Sequence, residues 1–413
     1  MDRSSLCFLN ILRFSLQGRP LDHDPGLTRE EWEGVFRLAS DHRVLPLVFE
    51  TVHSLPALKD HPLMPPLKRS VLQQVVVQTR KTAELLSLLE TLSAQGIRPL
   101  VVKGLICRRL YPRPELRPSS DEDLLVEPAQ FSACRSVLEK RGLQTSLSPE
   151  EQLRAYEVPY RDPRGALYIE LHRHLFPPDS TSYGQLDRFF QETRSRAVSV
   201  TVSGTQVYTL EYTDHLFYLI CHAFKHFLHS GFGIRQVCDI LLFASAYGDR
   251  IDWKRMEQNC RRIRAWLFTA ALFRIGRNYL DFDPGKAHVP DRWQHALVDE
   301  GPLLEDLLKS GIYGSSSRSR QHSSSITLDA VAARNQGRAA KSGVLVSLFP
   351  DSDSLRGRYP YLKDRPWLLP AAWASRIGSY CTETLLRRDS SAAESLQIGK
   401  QRLALLKQYG ILD

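Results

Sequence analysis

Between residues 94 and 212, short apolar or alternating runs bounded by turn residues interrupt a chain that is otherwise patterned for helix. The runs lie near 97–102, 122–126, 167–172 and 198–210, and the last of them (VSVTVSGTQVYTL) reads as a hairpin about Ser203-Gly204. Helical patterning on both sides predicts an α+β chain, with a small mixed sheet flanked by N- and C-terminal helical regions. Residues 71–95 form an amphipathic helix that stops before Gly96. The expected organisation is a helical region over 1–93, a core over 94–212 and a second helical region over 213–310. A flexible Ser/Arg-rich linker over 311–344 and a C-terminal helical segment over 345–413 follow. Ser4 or Ser5 is the expected cap of the first helix, and Thr213 or Asp214 that of the helix after the sheet.

Within the core, Asp121 and Asp123 stand two apart at the start of a strand-like run, so both carboxylates point to one side. Hard oxygen ligands of this kind suit Mg²⁺ or Mn²⁺, and a metal pair roughly 3.5–4 Å apart clamps the attacking and leaving oxygens of a phosphoryl displacement. An isolated Asp-x-Asp is more often a solvated turn or a cap. Here a buried run, a Lys103-Gly104 turn, a helix and a Pro-rich loop bearing Arg117 precede the pair. Glu170 adds a third acid on the strand-like run 167–172, where it shares a face with His172.

This constellation resembles the DNA polymerase β-like nucleotidyltransferase superfamily. It is most similar to a bacterial group of uncharacterised nucleotidyltransferases. The residues that carry the likeness are Lys103-Gly104, Tyr111-Pro112, Arg117, Asp121-Glu122-Asp123-Leu124-Leu125-Val126 and Glu170-Leu171-His172. Further likeness extends upstream to residues 32–47, downstream to His222, His226, Arg235 and Asp239, and to a tail over 358–376. The resemblance implies a polymerase β-like core with Asp121, Asp123 and Glu170 as metal ligands and catalytic acids. Lys103, Gly104, Arg117, His172, His222, Lys225 and His226 are the expected nucleotide or phosphate contacts.

Two positions depart from the pattern. The wider superfamily has Gly-Ser where this chain has Lys103-Gly104, which removes a phosphate-binding hydroxyl. Lys103 then serves either as a positive phosphate contact or as the partner of a carboxylate. Glu122 replaces an apolar residue and, on an alternating strand, faces away from the metals, where burial without a partner would be costly.

His222, Lys225, His226 and His229 recur at helical spacing and share one face. They form satisfied polar packing, the commoner case for histidines on a helix, a second metal site, or a face that closes over the nucleotide. Asp239 lies four residues after Arg235, the spacing of a helix ion pair. His174, next on the face of Glu170 and His172, is expected to face solvent.

The net charge of +9 concentrates in residues 250–277 and 314–341. Stacking aromatics are sparse there, so a nucleic-acid partner is not inferred. Seven scattered cysteines without a C-x-x-C pair fit reduced thiols in a cytoplasm, and no apolar run is long enough to span a membrane. The expected reaction moves an NMP from an NTP, with ATP as the expected donor, to an unidentified acceptor hydroxyl and releases pyrophosphate. The alternatives are a catalytically silent nucleotide-binding or scaffold protein of the same fold, and a metal-dependent phosphohydrolase built on His222, His226 and Asp239.

Overall fold

The computed structural model describes residues 1–21, 23–310, 318–338, 352–355, 359–362, 364–375 and 392–413. Helices α1 (Arg3–Leu16), α2 (Arg29–Asp41) and α3 (Leu45–Val52) pack through Phe8, Leu12, Trp32, Val35 and Val48. The long helix α4 (Met64–Ala94) follows, opening on Pro65 and Pro66, which suit the first turn because its N–H groups have no intrahelical partner. Its buried stripe Gln78, Lys81, Leu85, Leu88 and Leu92 recurs at three- and four-residue spacing and places two polar side chains inside the molecule.

The sheet has six strands: β1 (Leu100–Val102), β2 (Glu122–Leu125), β3 (Glu157–Arg161), β4 (Tyr168–His172), β5 (Val198–Val202) and β6 (Thr205–Thr209). Their order is β3-β4-β2-β1-β6-β5, and it is mixed: β1 runs antiparallel to β2, whereas β2 runs parallel to β4. The hairpin forms at Ser203 (φ 47°) and Gly204 (φ 86°), two consecutive left-handed residues that match the strand twist. Strand β3 was not foreseen. It carries Pro159 and lies at the sheet edge, where a missing N–H is tolerated.

Short helices α5 (Gly104–Arg108), α6 (Pro128–Lys140) and α7 (Pro149–Arg154) connect the strands. Beyond the sheet come α8 (Tyr212–Leu228), α9 (Ile234–Tyr247), α10 (Trp253–Arg262), α11 (Trp266–Tyr279), α12 (Asp291–Gln294), α13 (Gly301–Ser310) and α14 (Arg318–Asn335). One contiguous apolar core runs from Phe8 to Ile411. No helix among the described residues is long and apolar enough to cross a membrane.

Three local expectations are corrected. Asp2, not Ser4 or Ser5, caps α1 by accepting the Ser5 N–H. Glu211, not Thr213 or Asp214, caps α8, because its longer side chain accepts from both of their N–H groups. Residues 318–335, expected within a flexible linker, form α14. Ile326, Val331 and Ala333 bury there, and Thr327 Oγ1 donates to the Leu228 carbonyl at 2.6 Å. The helix Ala392–Gln408 packs against α14, and its Arg402 donates to the Phe227 and His229 carbonyls, so two elements satisfy the C-terminal carbonyls of α8. Residues 311–317 and 339–344 of the expected linker, and Cys381, lie outside the described residues. The other six cysteines are free thiols.

Several arginines of the basic stretches are paired with carboxylates. Arg255 pairs with Glu211, Arg261 with Glu257, Arg274 with Glu300, Arg320 with Asp306 and Arg338 with Asp329.

Candidate active site

Antiparallel pairing of β1 with β2 brings the residue after β1, Lys103, to the end of β2 where Asp121 and Asp123 lie. Parallel pairing of β2 with β4 sets Asp123 directly opposite Glu170. Directly paired residues point to the same face, so register alone gathers the acids. His172, two residues on, joins them: its Nε2 is 3.2 Å from Asp123 Oδ1 and 3.7 Å from Glu170 Oε2. Ligand atoms of Asp123, Glu170 and His172 all lie within 4.8 Å of one another, a span that one cation can fill. Asp121 is not part of this trio.

The ammonium of Lys103 lies between the aspartates, 3.5 Å from Asp121 Oδ2 and 3.0 Å from Asp123 Oδ2. The second contact is too poorly aligned to be a hydrogen bond, and Asp123 Oδ2 is buried without any hydrogen-bond partner. Lys103 has φ 45° and ψ −109°, a conformation that favours glycine and costs another residue about 1–3 kcal/mol. A polar chain holds it there. Lys103 N–H donates to His215 Nε2 at 3.1 Å, and Thr209 Oγ1 donates to the Val101 carbonyl at 2.6 Å. With the hydroxyl proton so committed, the 3.1 Å contact between His215 Nδ1 and Thr209 Oγ1 requires the imidazole to donate from Nδ1. Burial pushes His215 down to about 3, so the ring stays neutral as this chain needs.

Electrostatics divides the acids. Burial opposes ionisation of Asp121, but the Lys103 ammonium and Arg235 guanidinium outweigh it and hold the carboxyl well below the usual range. At Asp123 burial wins over Lys103 and His172, and the carboxyl is raised. Burial works against a charged His172, yet hydrogen bonds to Asp123 and Glu170 push it up to about 10.

Glu122 faces away from the acids, as strand alternation predicts, and is fully buried and fully paired. It accepts from Arg108 at 2.7 Å, Ser119 Oγ at 2.8 Å and the Leu105 N–H at 3.1 Å. The last bond places its carboxylate at the start of α5. A Cβ on Gly104 would lie 2.2 Å from Glu122 Oε2, so the glycine is explained by this carboxylate. On α4, Lys81 Nζ donates to the carbonyls of Ser119 and Ser120, each at 2.8 Å, and Gln78 Oε1 accepts the Ser119 N–H at 2.8 Å. These two side chains fix the loop that delivers Asp121.

Beside the acids opens a cleft of about 200 Å³, lined among others by Lys103, Asp121, Arg117, His222, His226 and Arg235. Burial drives His222 and His226 well below their ordinary range, reinforced by the neighbouring lysines, so both are neutral donors or acceptors. Arg235 Nε has no hydrogen-bond partner, and the N-terminal turn of α9 faces the cleft through Gly233, Arg235 and Gln236. Positive charge and a helix N-terminus favour an anionic ligand.

Residues 28–281, more than half of the chain, match the family model described as "Uncharacterised nucleotidyltransferase". The chain belongs to this nucleotidyltransferase family. No curated protein and no solved structure matches it significantly. The matched range contains every residue of the site and the upstream stretch 32–47, and it stops short of the expected tail over 358–376.

Within this family member the structure brings together most of the residues singled out in the sequence. Lys103, Gly104, Asp121, Asp123, Glu170, His172, His222 and His226 form the acid cluster and the adjoining cleft. Lys225 does not line the cleft; its Nζ sits 5.7 Å from the centre of the Tyr183 ring. Arg117 reaches the cleft, but its fork is bidentate to Asp239 (3.0 and 2.5 Å), which also accepts from Tyr111 at 2.8 Å. The expected Arg235–Asp239 helix pair is therefore corrected: Asp239 belongs to Arg117, and Arg235 donates to the Pro118 carbonyl. With Asp239 so engaged, a metal site on His222, His226 and Asp239 does not form. His174 is half-exposed and bonded through Nδ1 to Asp187 at 2.8 Å.

Sequence reasoning missed the roles of Gln78, Lys81, His215 and Arg235. A signal existed for the first two, which interrupt an apolar stripe at its own spacing. None marked His215, whose partner at Lys103 is 112 residues away.

Proposed function

We propose that the protein transfers a nucleoside monophosphate from an NTP, with ATP as the expected donor, to an acceptor hydroxyl in a reaction dependent on Mg²⁺ or Mn²⁺. The observation that carries this reading is the registered Asp123–Glu170 pair beside a basic cleft, in a chain of a nucleotidyltransferase family. The donor set fits a hard divalent cation: two carboxylates converge, and the buried Asp123 Oδ2 has no hydrogen bond. Asp123, Glu170 and His172 would hold the ion, His172 through a neutral imidazole nitrogen, with Asp121 nearby. When bound, it supplies positive charge against the triphosphate and lowers the proton affinity of the acceptor hydroxyl.

The chain's own residues account for the other parts of the reaction. Glu170, which keeps partial access to solvent, takes the acceptor proton as its oxygen attacks the α-phosphorus and the bond to pyrophosphate breaks. Arg235 and Lys103 set positive charge against the leaving phosphates, and His222 and His226 offer neutral imidazole donors. Arg117 stiffens the floor of the cleft through Asp239. The cleft's volume of about 200 Å³ is below the roughly 300–1,000 Å³ usual for ligand pockets. It fits the phosphate tail, with base and sugar reaching beyond it.

The test is metal-dependent transfer of label from a panel of α-labelled NTPs into candidate acceptors. Wild type is expected to release pyrophosphate, and Asp123→Asn and Glu170→Gln to lose at least about 100-fold, in line with the loss of a positioned catalytic group. Equal transfer by all three proteins would refute the reading. One observation favours the silent nucleotide-binding alternative: Lys103 already balances Asp121 and Asp123 from within the chain. NTP binding without pyrophosphate release across the acceptor panel would select it.

A further inference from the structure

The ammonium of Lys103 occupies the ground between Asp121 and Asp123, where a second bridging cation would sit in a two-metal site. The geometry points to a site that takes a single divalent cation, on Asp123, Glu170 and His172, with the Lys103 ammonium standing in for the other. This rests on the nucleotidyl-transfer reading of the same residues.

Three independent observations support it. The first is the division of donors: Asp123, Glu170 and His172 converge within 4.8 Å, whereas Asp121 is outside that group and faces Lys103 at 3.5 Å. The second is the backbone. Lys103 adopts a conformation suited to glycine, and the His215–Thr209–Val101 chain over-determines it. A lysine kept where glycine would be free of strain points to use of the side chain. The third is charge. With His172 neutral as a ligand, one ammonium and one dication balance three carboxylates, while a second dication beside the ammonium would leave the site net positive even before Arg235 is counted. Asp123 lies next to both charges: its Oδ2, which accepts no hydrogen bond, is 3.0 Å from Lys103 Nζ, and the residue belongs to the converging trio.

The inference makes Lys103 a positioning charge with a geometric consequence. Removing the amine should open a second cation position between the aspartates. Lys103→Gly is the informative variant, because glycine accepts the observed φ and ψ without strain and so preserves the turn. Lys103→Arg keeps the charge and serves as a control.

The experiment counts tightly bound Mn²⁺ on the full chain by electron paramagnetic resonance, with Mn²⁺ alone as the probe and no nucleotide. Wild type and Lys103→Arg are expected to bind one ion per chain, Lys103→Gly two with spin coupling between them, and Asp123→Asn none. Two ions in wild type, or one in Lys103→Gly, would overturn the inference while leaving nucleotidyl transfer intact. No bound ion in wild type would overturn both this inference and the metal-dependent reading on which it rests. Should Lys103→Gly prove insoluble, Lys103→Met is read in the same way.

Discussion

Gly104→Ala tests whether Gly104 makes room for Glu122 or for a phosphate. At the start of a helix this substitution ordinarily stabilises by up to about 1 kcal/mol. Here the new Cβ would meet Glu122 Oε2 at 2.2 Å and Cδ at 3.1 Å. The carboxylate has nowhere to retreat, because it is fully buried and held by Arg108, Ser119 and the Leu105 N–H. Displacing it weakens charge-assisted bonds worth about 1.5–3 kcal/mol each. Breaking the pair outright would leave Arg108 as an uncompensated buried charge at about 3–5 kcal/mol. The expected net loss is about 3 kcal/mol, read as a lower urea midpoint. Glu122→Ala supplies the second arm. It is costly by itself, but in that background the obstacle is gone, and Gly104→Ala should be neutral or stabilising. The difference between the two backgrounds corresponds to a coupling of at least about 3 kcal/mol, the upper end of the range for contacting residues. Equal effects of Gly104→Ala in both backgrounds, or a stable variant that loses only NTP binding, would refute the reasoning and return the glycine to phosphate approach.

Lys81→Met should cost about 2 kcal/mol and lower transfer by about tenfold through the freed Ser119 and Ser120 carbonyls, checked by urea unfolding and by label transfer. His215→Leu orphans the Lys103 N–H and should destabilise by about 1–3 kcal/mol, and adding Lys103→Gly should recover part of that loss by removing the strain. His42 is buried with a pKa pushed down to about 4, so the unfolded chain binds its proton first. Its contribution of about 3 kcal/mol is complete above roughly pH 6.5 and is lost as pH falls towards 4. His42→Asn, which keeps an acceptor for the Ile234 N–H, should flatten that limb of the stability curve. His172 acts with the opposite sign. Its folded pKa of about 10 means that its stabilisation is present below about pH 6.5 and fades on the alkaline side, measured in chelator so that no divalent ion competes.

The parts of the fold legible in the sequence were those decided locally. Alternation placed Asp121 and Asp123 on one face and Glu122 on the other, and the run around Glu170 fixed its shared face with His172. The hairpin was announced by Ser203-Gly204. Elements decided by distant partners were not legible. Strand β3 hides behind Pro159, acceptable because β3 ends the sheet order and, among the described residues, meets on its outer side only an isolated bridge from Gln144 to Arg161. The helix α14 is Ser-rich and poor in local signal, and it exists because Ile326 and Val331 find cover against other helices.

Arg117, Arg235 and Asp239 show how such a distant choice shapes a site. Spacing along α9 pairs Asp239 with Arg235, a contact worth only about 0.2–0.5 kcal/mol on a helix surface. Arg117, 122 residues away, offers a planar fork that binds both carboxylate oxygens in a buried setting, with Tyr111 completing the acceptor. Two aligned charge-assisted bonds outweigh one flexible helix pair. The consequence reaches the cleft. With Asp239 taken, Arg235 keeps an Nε without a hydrogen bond and a net charge near Asp121, where it adds to Lys103 in holding that carboxyl ionised. The basic character of the cleft thus follows from a competition between two arginines for one aspartate, which no reading of either segment alone would have resolved.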